Sequence, residues 1–207
     1  MIAVPRASAS APEAWLYVNP EHTPRPRGTG NAPRLVLFDR DGTLTVDDPP
    51  YNGDPANVQL RPTAREALDV LRAHDVSIGV VSNQSGVGRG RLNRNHVEAV
   101  ADRIEQLLGT FDAWVFCPHL PTAGCACRKP APGMVLAATD ALGVPPHETA
   151  LIGDIGADIG AATAAGATSV LVPTPVTRAE EIATAPTVAP DLLTAVNSLL
   201  RRHEAVA

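Results

Sequence analysis

The sequence has few aromatic residues, no net positive charge and no long apolar runs. Aromatic side chains make up 3% of its 207 residues, and the formal net charge is -5. An acidic surface repels a nucleic-acid backbone. So few aromatic rings cannot form a platform on which bases stack. We therefore expect no nucleic-acid partner.

No apolar run approaches the roughly 18 residues that a membrane-spanning helix requires. The N-terminus also lacks the basic start and the unbroken apolar stretch of a signal peptide. These absences predict a cytoplasmic protein with no membrane partner. The length fits one domain with a sizeable core, and we expect a monomer or a weak homodimer.

Cysteine is scarce, and its distribution is informative. Cys117, Cys125 and Cys127 are the three cysteines of the chain, and they lie close to His119. A disulfide framework would normally have an even number of cysteines spread along the sequence. Three thiolates and one imidazole instead complete a tetrahedral Zn²⁺ set with no open position. This clustering predicts a structural zinc site, the alternative being ordinary buried cysteines beside a surface histidine.

The first part of the chain differs in composition from the rest. Residues 1–33 are rich in Pro, Ala, Ser and Arg and show no regular hydrophobic period. Such a segment cannot bury enough apolar surface to offset its ordering entropy, which predicts a flexible N-terminal leader. Within it, Trp15, Leu16 and Tyr17 form one apolar cluster that could dock on the domain or on a second subunit. Residues 34–207 form the predicted folded domain.

From residue 35 onward, short β-branched runs alternate with amphipathic stretches. This pattern is typical of βαβ units around a parallel sheet and predicts an α/β fold. Glycine and proline bracket two of the predicted helices, 133–142 and 157–165, and Asn93 or Asn95 could cap another that Gly109 ends. The candidate strands span residues 35–38, 76–81, 113–116, 150–152 and 169–172.

Carboxylates follow two of these strands. Asp39 and Asp41 come directly after the first strand, and Asp154 follows the fourth. A carboxylate can attack phosphorus, and a second carboxyl can protonate the leaving oxygen. Because these acids would repel an anionic substrate, the arrangement requires a cation, for which Mg²⁺ is suited. We therefore interpret Asp39 as the nucleophile, Asp41 as the acid/base and Asp154 as a metal ligand. The alternative for an isolated Asp-x-Asp is a turn cap.

Other polar residues follow the remaining strands. Ser82 and Asn83 end the second strand and offer a hydroxyl and an amide, and Lys129 follows the third with Arg128 beside it. Phosphoryl transfer requires such donors and a fixed positive charge. Asp158 stands one helical turn beyond Asp154, as an outer-shell metal ligand through water or as a helix N-terminal acid.

The order of these motifs resembles the haloacid dehalogenase superfamily of phosphatases. It reads Asp39-x-Asp41-Gly42-Thr43, Ser82-Asn83, Lys129 and Gly153-Asp154-x-x-x-Asp158. The resemblance implies a Rossmann-like three-layer fold over the domain 34–207. It also implies roles for each position: Asp39 as nucleophile and Mg²⁺ ligand, Asp41 as acid/base and backbone-carbonyl ligand, Ser82 as phosphoryl donor, Lys129 as the fixed charge, and Asp154 as Mg²⁺ ligand.

Two groups within the superfamily combine a zinc loop with Arg-Lys-Pro. Residues 81–86 with Arg89 and Gly90 are closer to the heptose 1,7-bisphosphate phosphatases. The five-residue spacer between His119 and Cys125 is closer to many histidinol-phosphate phosphatases. Ile155 also departs from the heptose-type pattern, which often has a substrate-binding lysine there.

Short connections after the predicted strands leave no room for a cap domain, so local loops should wall a site for a small sugar phosphate. Arg89, Arg91 and Arg128 offer a bidentate grip on a second phosphate. We therefore expect D-glycero-D-manno-heptose 1,7-bisphosphate as substrate, losing its 7-phosphate, with histidinol phosphate as the alternative. A remoter alternative is a non-catalytic, zinc-stabilised module that binds a nucleotide at Gly86-x-Gly88-x-Gly90. The predicted substrate-binding residues are Tyr51, Asn83, Gln84, Ser85, Arg89 and Arg128.

Overall fold

A computed structural model describes residues 2–3, 14–23 and 32–201 of the chain. Its strands are β1 (Ile2–Ala3), β2 (Trp15–Val18), β3 (Leu35–Phe38), β4 (Ser77–Asn83), β5 (Ala113–Cys117), β6 (Thr149–Gly153) and β7 (Thr168–Leu171). Its helices are α1 (Ala64–Ala73), α2 (Ser85–Gly88), α3 (Arg94–Leu108), α4 (Gly133–Leu142), α5 (Gly156–Ala165), α6 (Ala179–Thr184) and α7 (Leu192–Arg201). None of the helices in these ranges is long and apolar enough to cross a membrane.

The strands form one sheet in the order β1-β2-β5-β4-β3-β6-β7. The five strands from β5 to β7 in this order are parallel, whereas β2 pairs antiparallel with β5 and β1 antiparallel with β2. Strand β3 lies between β4 and β6. The residue that follows β3 therefore emerges among the carboxyl ends of neighbouring parallel strands, where ligands bind in open α/β sheets.

Helices cover both faces of the sheet. Val36 and Phe38 pack with α1, α3 and α7 on one face, and Leu35 and Leu37 pack with α4 and α5 on the other. This alternation follows from the period of two along a strand. Because both faces are buried, β3 is apolar throughout, as expected of a parallel strand. The predicted three-layer, Rossmann-like α/β fold is confirmed.

The predicted elements agree with the structure to within one or two residues. Strand β4 begins one residue later than expected and includes Asn83. The side chain of Asn93 caps α3 by accepting a hydrogen bond from the backbone of His96 at 3.0 Å. Gly109 ends this helix with a φ of +84°, which favours glycine.

Short connections leave the carboxyl edge of the sheet open. The segment 39–63 between β3 and α1 contains one 3-10 turn (Pro55–Asn57), and the segment 84–93 between β4 and α3 contains only the short helix α2. No cap domain is inserted in either of these fully described segments, as the sequence predicts.

The prediction of a flexible leader over residues 1–33 is wrong for residues 14–23. Trp15–Val18 form β2, which pairs along its whole length with β5. The apolar cluster of the leader therefore docks on the domain itself. Residues 2–3 add a further antiparallel strand, while residues 1, 4–13 and 24–31 of the predicted leader lie outside the described residues.

Strand β2 is held by a buried tyrosine. Tyr17 packs edge-on against Phe116, and its hydroxyl is hydrogen-bonded to the carboxylate of Glu98. Arg94 donates to the same hydroxyl at 2.7 Å and lies over the rings of Trp15 and Tyr17. Burial, and then the bond to Glu98, raise the pKa of Tyr17 to about 12. The buried Tyr17 therefore helps the pairing with β5 to dock a segment whose composition resembles a linker.

We predict that Tyr17→Ala destabilises the protein, because it removes a large side chain from the core. The expected loss is about 3 kcal/mol or more in the free energy of unfolding. Tyr17→Phe keeps the ring and loses only the hydroxyl contacts, so it should cost about 1 kcal/mol. Urea titrations followed by fluorescence would measure both, with Leu136→Ala at an exposed position of α4 as the control. A Tyr17→Ala variant as stable as this control would contradict the docking of β2.

Candidate active site

A buried lysine lies at the centre of the carboxyl edge of the sheet. The Nζ atom of Lys129 is 2.5 Å from Asp39 Oδ1 and 2.6 Å from Asp158 Oδ1. It also donates to the backbone carbonyl of Val81 at 2.8 Å. Asp39 follows β3, Asp158 lies in the first turn of α5 and Val81 lies within β4. One ammonium group therefore joins three elements. Asp39 and Lys129 thus meet as the sequence predicts, although 90 positions separate them.

Asp154 lies beside this pair and is bound by three threonines. Thr43 and Thr174 each place a hydroxyl 3.4 Å from one of its carboxylate oxygens, and Thr177 donates to its backbone carbonyl at 2.6 Å. The loop after β3 also approaches closely. A Cβ on Gly42, which has a φ of +85°, would lie 2.3 Å from Asp154 Oδ2. Only glycine fits between this loop and the carboxylate.

The buried acids raise one another's pKa values. Burial raises the pKa of Asp39 well above its usual value, and Asp158 and Asp154 raise it further against the opposing effect of Lys129. Burial, and then Asp158, raise the pKa of Asp154 to about 7. Burial opposes the charge of Lys129, yet Asp158 and Asp39 raise its pKa above the usual value. With all three acids ionised, one ammonium group would not neutralise the cluster, which is why the pKa values of Asp39 and Asp154 are raised.

The same cluster fits a divalent cation. Carboxylate oxygens of Asp39, Asp154 and Asp158 lie within 4.8 Å of one another. Asp158 is already engaged, because Oδ1 faces Lys129 and Oδ2 accepts from the backbone of Ile155 at 3.2 Å. Asp39 and Asp154 therefore remain to bind a hard cation such as Mg²⁺, which takes oxygen ligands. Of the two roles predicted for Asp158, the contacts favour an acid at the start of α5 that also fixes Lys129.

Asp41 is held at the mouth of the site. Arg40 binds it through two hydrogen bonds, from Nε to Oδ1 and from Nη2 to Oδ2, both of 2.8 Å. Gln84 adds a third hydrogen bond from Nε2 to Oδ2, also of 2.8 Å, and the same nitrogen lies 2.9 Å from Ser82 Oγ. The predicted acid/base, Asp41, and the predicted phosphoryl donor, Ser82, therefore share one partner.

Asn83 holds the backbone of Lys129 in place. Its Oδ1 atom accepts from the backbone nitrogen of Lys129 at 3.0 Å, and its Nδ2 atom donates to the carbonyl of the same residue at 3.2 Å. The predicted substrate-binding role of Asn83 is therefore not what its amide does in this structure. The side chain is used to fix the position of Lys129.

The other predicted substrate-binding residues surround the opening. The guanidinium groups of Arg89 and Arg91 lie 5.9 and 5.1 Å from the ring centre of Tyr51. Ser85 begins α2 and is partly buried. Arg128 donates from Nη1 to the carbonyl of His119 at 3.3 Å. Three arginines thus lie on loops that follow β4 and β5, two of them grouped around one tyrosine.

The predicted zinc ligands come together between β5 and α4. The Cys117 and Cys127 sulfurs are 3.3 Å apart, and the Cys125 sulfur lies 3.7 and 3.5 Å from them. Nδ1 of His119 is 3.3 Å from Cys117 and 3.2 Å from Cys127. Hydrogen bonding from Cys127 lowers the pKa of Cys117 to about 5. Three sulfurs and one nitrogen around a common centre form a donor set that fits tetrahedral Zn²⁺.

Sequence reasoning did not identify three residues that shape this site. Arg40 stands between the two predicted acids, and its position alone could have suggested a partner for one of them. Thr174 and Thr177 lie in the loop after β7, and no motif distinguishes them. Their contact with Asp154 depends on how this loop folds back over the sheet.

Comparisons with known proteins agree with this geometry. Residues 126–200 match the Hydrolase-like family, described as HAD-hydrolase-like. A D-glycero-beta-D-manno-heptose-1,7-bisphosphate 7-phosphatase of Bordetella bronchiseptica is 34% identical over 150 residues, covering 68% of this chain and 81% of that protein. The enzyme of the same name from Escherichia coli K12 is 33% identical over 151 residues, covering 67% and 78%.

This chain belongs to the haloacid dehalogenase superfamily. Within it, the chain is a phosphatase, which sets aside the non-catalytic nucleotide-binding alternative. A crystal structure of the B. bronchiseptica heptose bisphosphate phosphatase, in complex with magnesium and phosphate, superimposes with a TM-score of 0.73 at 29% identity. The superposition covers 81% of this chain and 98% of that one. A HAD-like phosphatase from Mesorhizobium loti superimposes with a TM-score of 0.70 at 28% identity, over 92% and 96% of the two chains.

We predict that the cysteine and histidine cluster of this phosphatase binds about one zinc per chain, because its donor set is complete. Cys125→Ser and His119→Asn should each lower the zinc content and the melting temperature, since folding is coupled to metal binding. Metal analysis of protein purified without chelators would measure the zinc. His147→Asn, at an exposed histidine outside the cluster, is the matched control. Wild-type protein that contains no zinc would contradict the prediction.

Proposed function

We propose that this protein is a Mg²⁺-dependent phosphomonoesterase that acts through an aspartyl-phosphate on Asp39. Its substrate is a small sugar phosphate, D-glycero-D-manno-heptose 1,7-bisphosphate, from which it removes the 7-phosphate. The observation that carries this proposal is the buried pair of Asp39 and Lys129 beside Asp154 at the carboxyl edge of the sheet. The names of the similar proteins support the substrate. The cytoplasmic location expected from the sequence stays a prediction.

Asp39 supplies the nucleophilic oxygen. Lys129 donates a hydrogen bond to Oδ1 of Asp39 and so fixes the orientation of this carboxylate. The same ammonium charge offsets the charge that gathers on the phosphoryl oxygens, and a buried site makes this interaction stronger than in water. Ser82 donates its hydroxyl proton to a phosphoryl oxygen, and Asp41 transfers a proton to the leaving oxygen. Water, deprotonated by Asp41, then hydrolyses the phosphorylated Asp39.

The carboxylates of Asp39 and Asp154 and the backbone carbonyl of Asp41 would hold Mg²⁺. When bound, the cation neutralises charge on the phosphate and draws it towards the carboxylate. Thr43, Thr174 and Thr177 orient Asp154 for this role. The close approach of the buried carboxylate oxygens supports this assignment, as does the magnesium in the B. bronchiseptica structure.

The arginines at the opening support a substrate with a second phosphate. Arg89 and Arg91 lie together over Tyr51, and Arg128 uses one guanidinium nitrogen on the carbonyl of His119. A guanidinium has five N–H donors, so Arg128 retains donors for a ligand. Binding energy from a remote phosphate can then be used to position the reacting one. We assign the sugar contacts to Tyr51 and Ser85, as predicted from the sequence.

Histidinol phosphate is the second candidate substrate. The five-residue spacer between His119 and Cys125 and the presence of Ile155 favour it, since both depart from the heptose-type pattern. Its amine would not benefit from a group of arginines, however. The charge at the opening therefore favours the bisphosphate.

We predict that Asp39→Asn abolishes turnover and leaves the fold intact, because an amide retains the shape of the side chain but cannot attack phosphorus. Phosphate release from a sugar-phosphate panel would measure the rate, and EDTA should abolish the wild-type activity until Mg²⁺ is restored. Asp69→Asn, at an exposed position of α1, is the matched control. A rate for Asp39→Asn above a few per cent of wild type would refute the covalent mechanism.

We predict that kcat/KM is higher for heptose 1,7-bisphosphate than for its monophosphates or histidinol phosphate. Charge-assisted hydrogen bonds contribute about 1.5 to 3 kcal/mol each, so Arg128→Ala should lower kcat/KM on the bisphosphate roughly ten- to a hundred-fold. The loss on a monophosphate that lacks the remote group should be much smaller.

Arg178→Ala is the control for this prediction. Arg178 is exposed, directly precedes α6 and pairs with Glu180 and Glu181 in the first turn of that helix. Arg178→Ala should therefore leave kcat/KM unchanged on both the bisphosphate and the monophosphate. Equal losses on both substrates for Arg128→Ala would contradict the role of this arginine. A wild-type preference for histidinol phosphate would transfer the assignment to that substrate.

A further inference from the structure

Gln84 is buried at the point where β4 meets α2. The residue is 3% exposed, and its backbone nitrogen donates to the carbonyl of Cys117 at 2.7 Å. The amide nitrogen of its side chain faces Asp41 Oδ2 and Ser82 Oγ, at 2.8 and 2.9 Å. A carboxylate only accepts hydrogen bonds, so the nitrogen end of the amide must point this way. Both protons of the amide group are then directed at functional atoms of the site.

The contacts of Asp41 leave a defined place for a proton. Oδ2 accepts from both Arg40 and Gln84, whereas Oδ1 accepts from Arg40 alone. Each carboxylate oxygen has about two acceptor positions. The network therefore leaves one position unfilled, on Oδ1. Arg40 is fully buried and has little freedom to move, so the plane of the Asp41 carboxyl group is fixed.

The contact with Ser82 orients a second proton. The hydroxyl oxygen of Ser82 accepts from Gln84 and still has one proton to donate. Since its acceptor side faces Gln84, this proton points away from Gln84. The phosphoryl group bound at Asp39 is the acceptor that the proposed function provides.

We propose that Gln84 is a positioning residue that sets the acid/base and the phosphoryl donor in one geometry, and that it does not bind the sugar. The proposal replaces the substrate-binding role predicted from the sequence, and it rests on the proposed function. Gln84 acts through Asp41 and Ser82 and touches no reacting atom itself.

The positioning by Gln84 affects the first half of the reaction, in which Asp39 becomes phosphorylated. A bond forms between Asp39 and phosphorus while the bond from phosphorus to the leaving oxygen breaks. The proton on Asp41 Oδ1 passes to that oxygen, which leaves as an alcohol. A leaving group that is a weak base gains little from this proton, whereas a basic one depends on it. Loss of Gln84 should therefore be felt most with basic leaving groups.

The test compares p-nitrophenyl phosphate with phenyl phosphate, which have nearly the same shape but differ in the basicity of the leaving group. Gln84→Met removes both N–H donors and nearly conserves the side-chain volume. We expect kcat on phenyl phosphate to fall by about ten-fold more than kcat on p-nitrophenyl phosphate, since general acid catalysis contributes about a hundred-fold or more. Gln84→Leu also lacks the N–H donors at a similar side-chain volume and should show the same difference.

The controls separate this proposal from the proposed function and from a loss of folding. Gln106→Met makes the same change at an exposed position of α3 and should alter neither rate. Urea unfolding of each variant checks that it is folded, and Gln84→Leu is the test variant if Gln84→Met does not fold. Equal losses on the two substrates would overturn the role of Gln84 while leaving the phosphatase assignment intact. Wild-type protein that cleaves neither aryl phosphate nor the heptose bisphosphate with Mg²⁺ present would instead overturn the proposed function.

Discussion

The ion pairs of Lys129 are the interaction on which the rest of the site depends. A buried ammonium group is tolerated only when partners compensate for its lost hydration, and here Asp39, Asp158 and the carbonyl of Val81 do so. These partners come from three elements that meet only when the parallel sheet is formed. The same contacts that permit burial of the lysine therefore position Asp39, the proposed nucleophile.

The loop that carries the predicted zinc ligands runs directly into this lysine. Cys127 lies two residues before Lys129, and Asn83 holds the backbone of Lys129 from the other side. A segment without regular secondary structure that carries a proposed catalytic charge needs such support, because an error of about 1 Å in position can cost a large part of the rate. Zinc at this loop would thus contribute to catalysis through geometry, without contact with the substrate.

The site divides into a centre and a rim with different tasks. The centre consists of buried carboxyl groups and one ammonium group, joined by ion pairs. The pKa values of these carboxyl groups are shifted by burial and by their charged neighbours. The rim consists of Tyr51 and of arginines on loops, which surround an opening that no cap domain covers. Chemistry in such folds is set by the centre, and substrate choice by the loops.

The sequence by itself determined the α/β fold, the order of the strands along the chain and the groups at their carboxyl ends. Hydrophobic period and motif spacing are local properties, so the approach of Asp39 and Lys129 and the cysteine cluster could be predicted. The docking of β2 could not, because its segment has the composition of a linker, and it is held by pairing with β5 and by the buried Tyr17. The roles of Arg40, Asn83 and Gln84 also depended on the tertiary structure. Whether an amide faces substrate, backbone or a neighbouring carboxylate depends on partners that are distant in sequence, and only the folded chain brings these together.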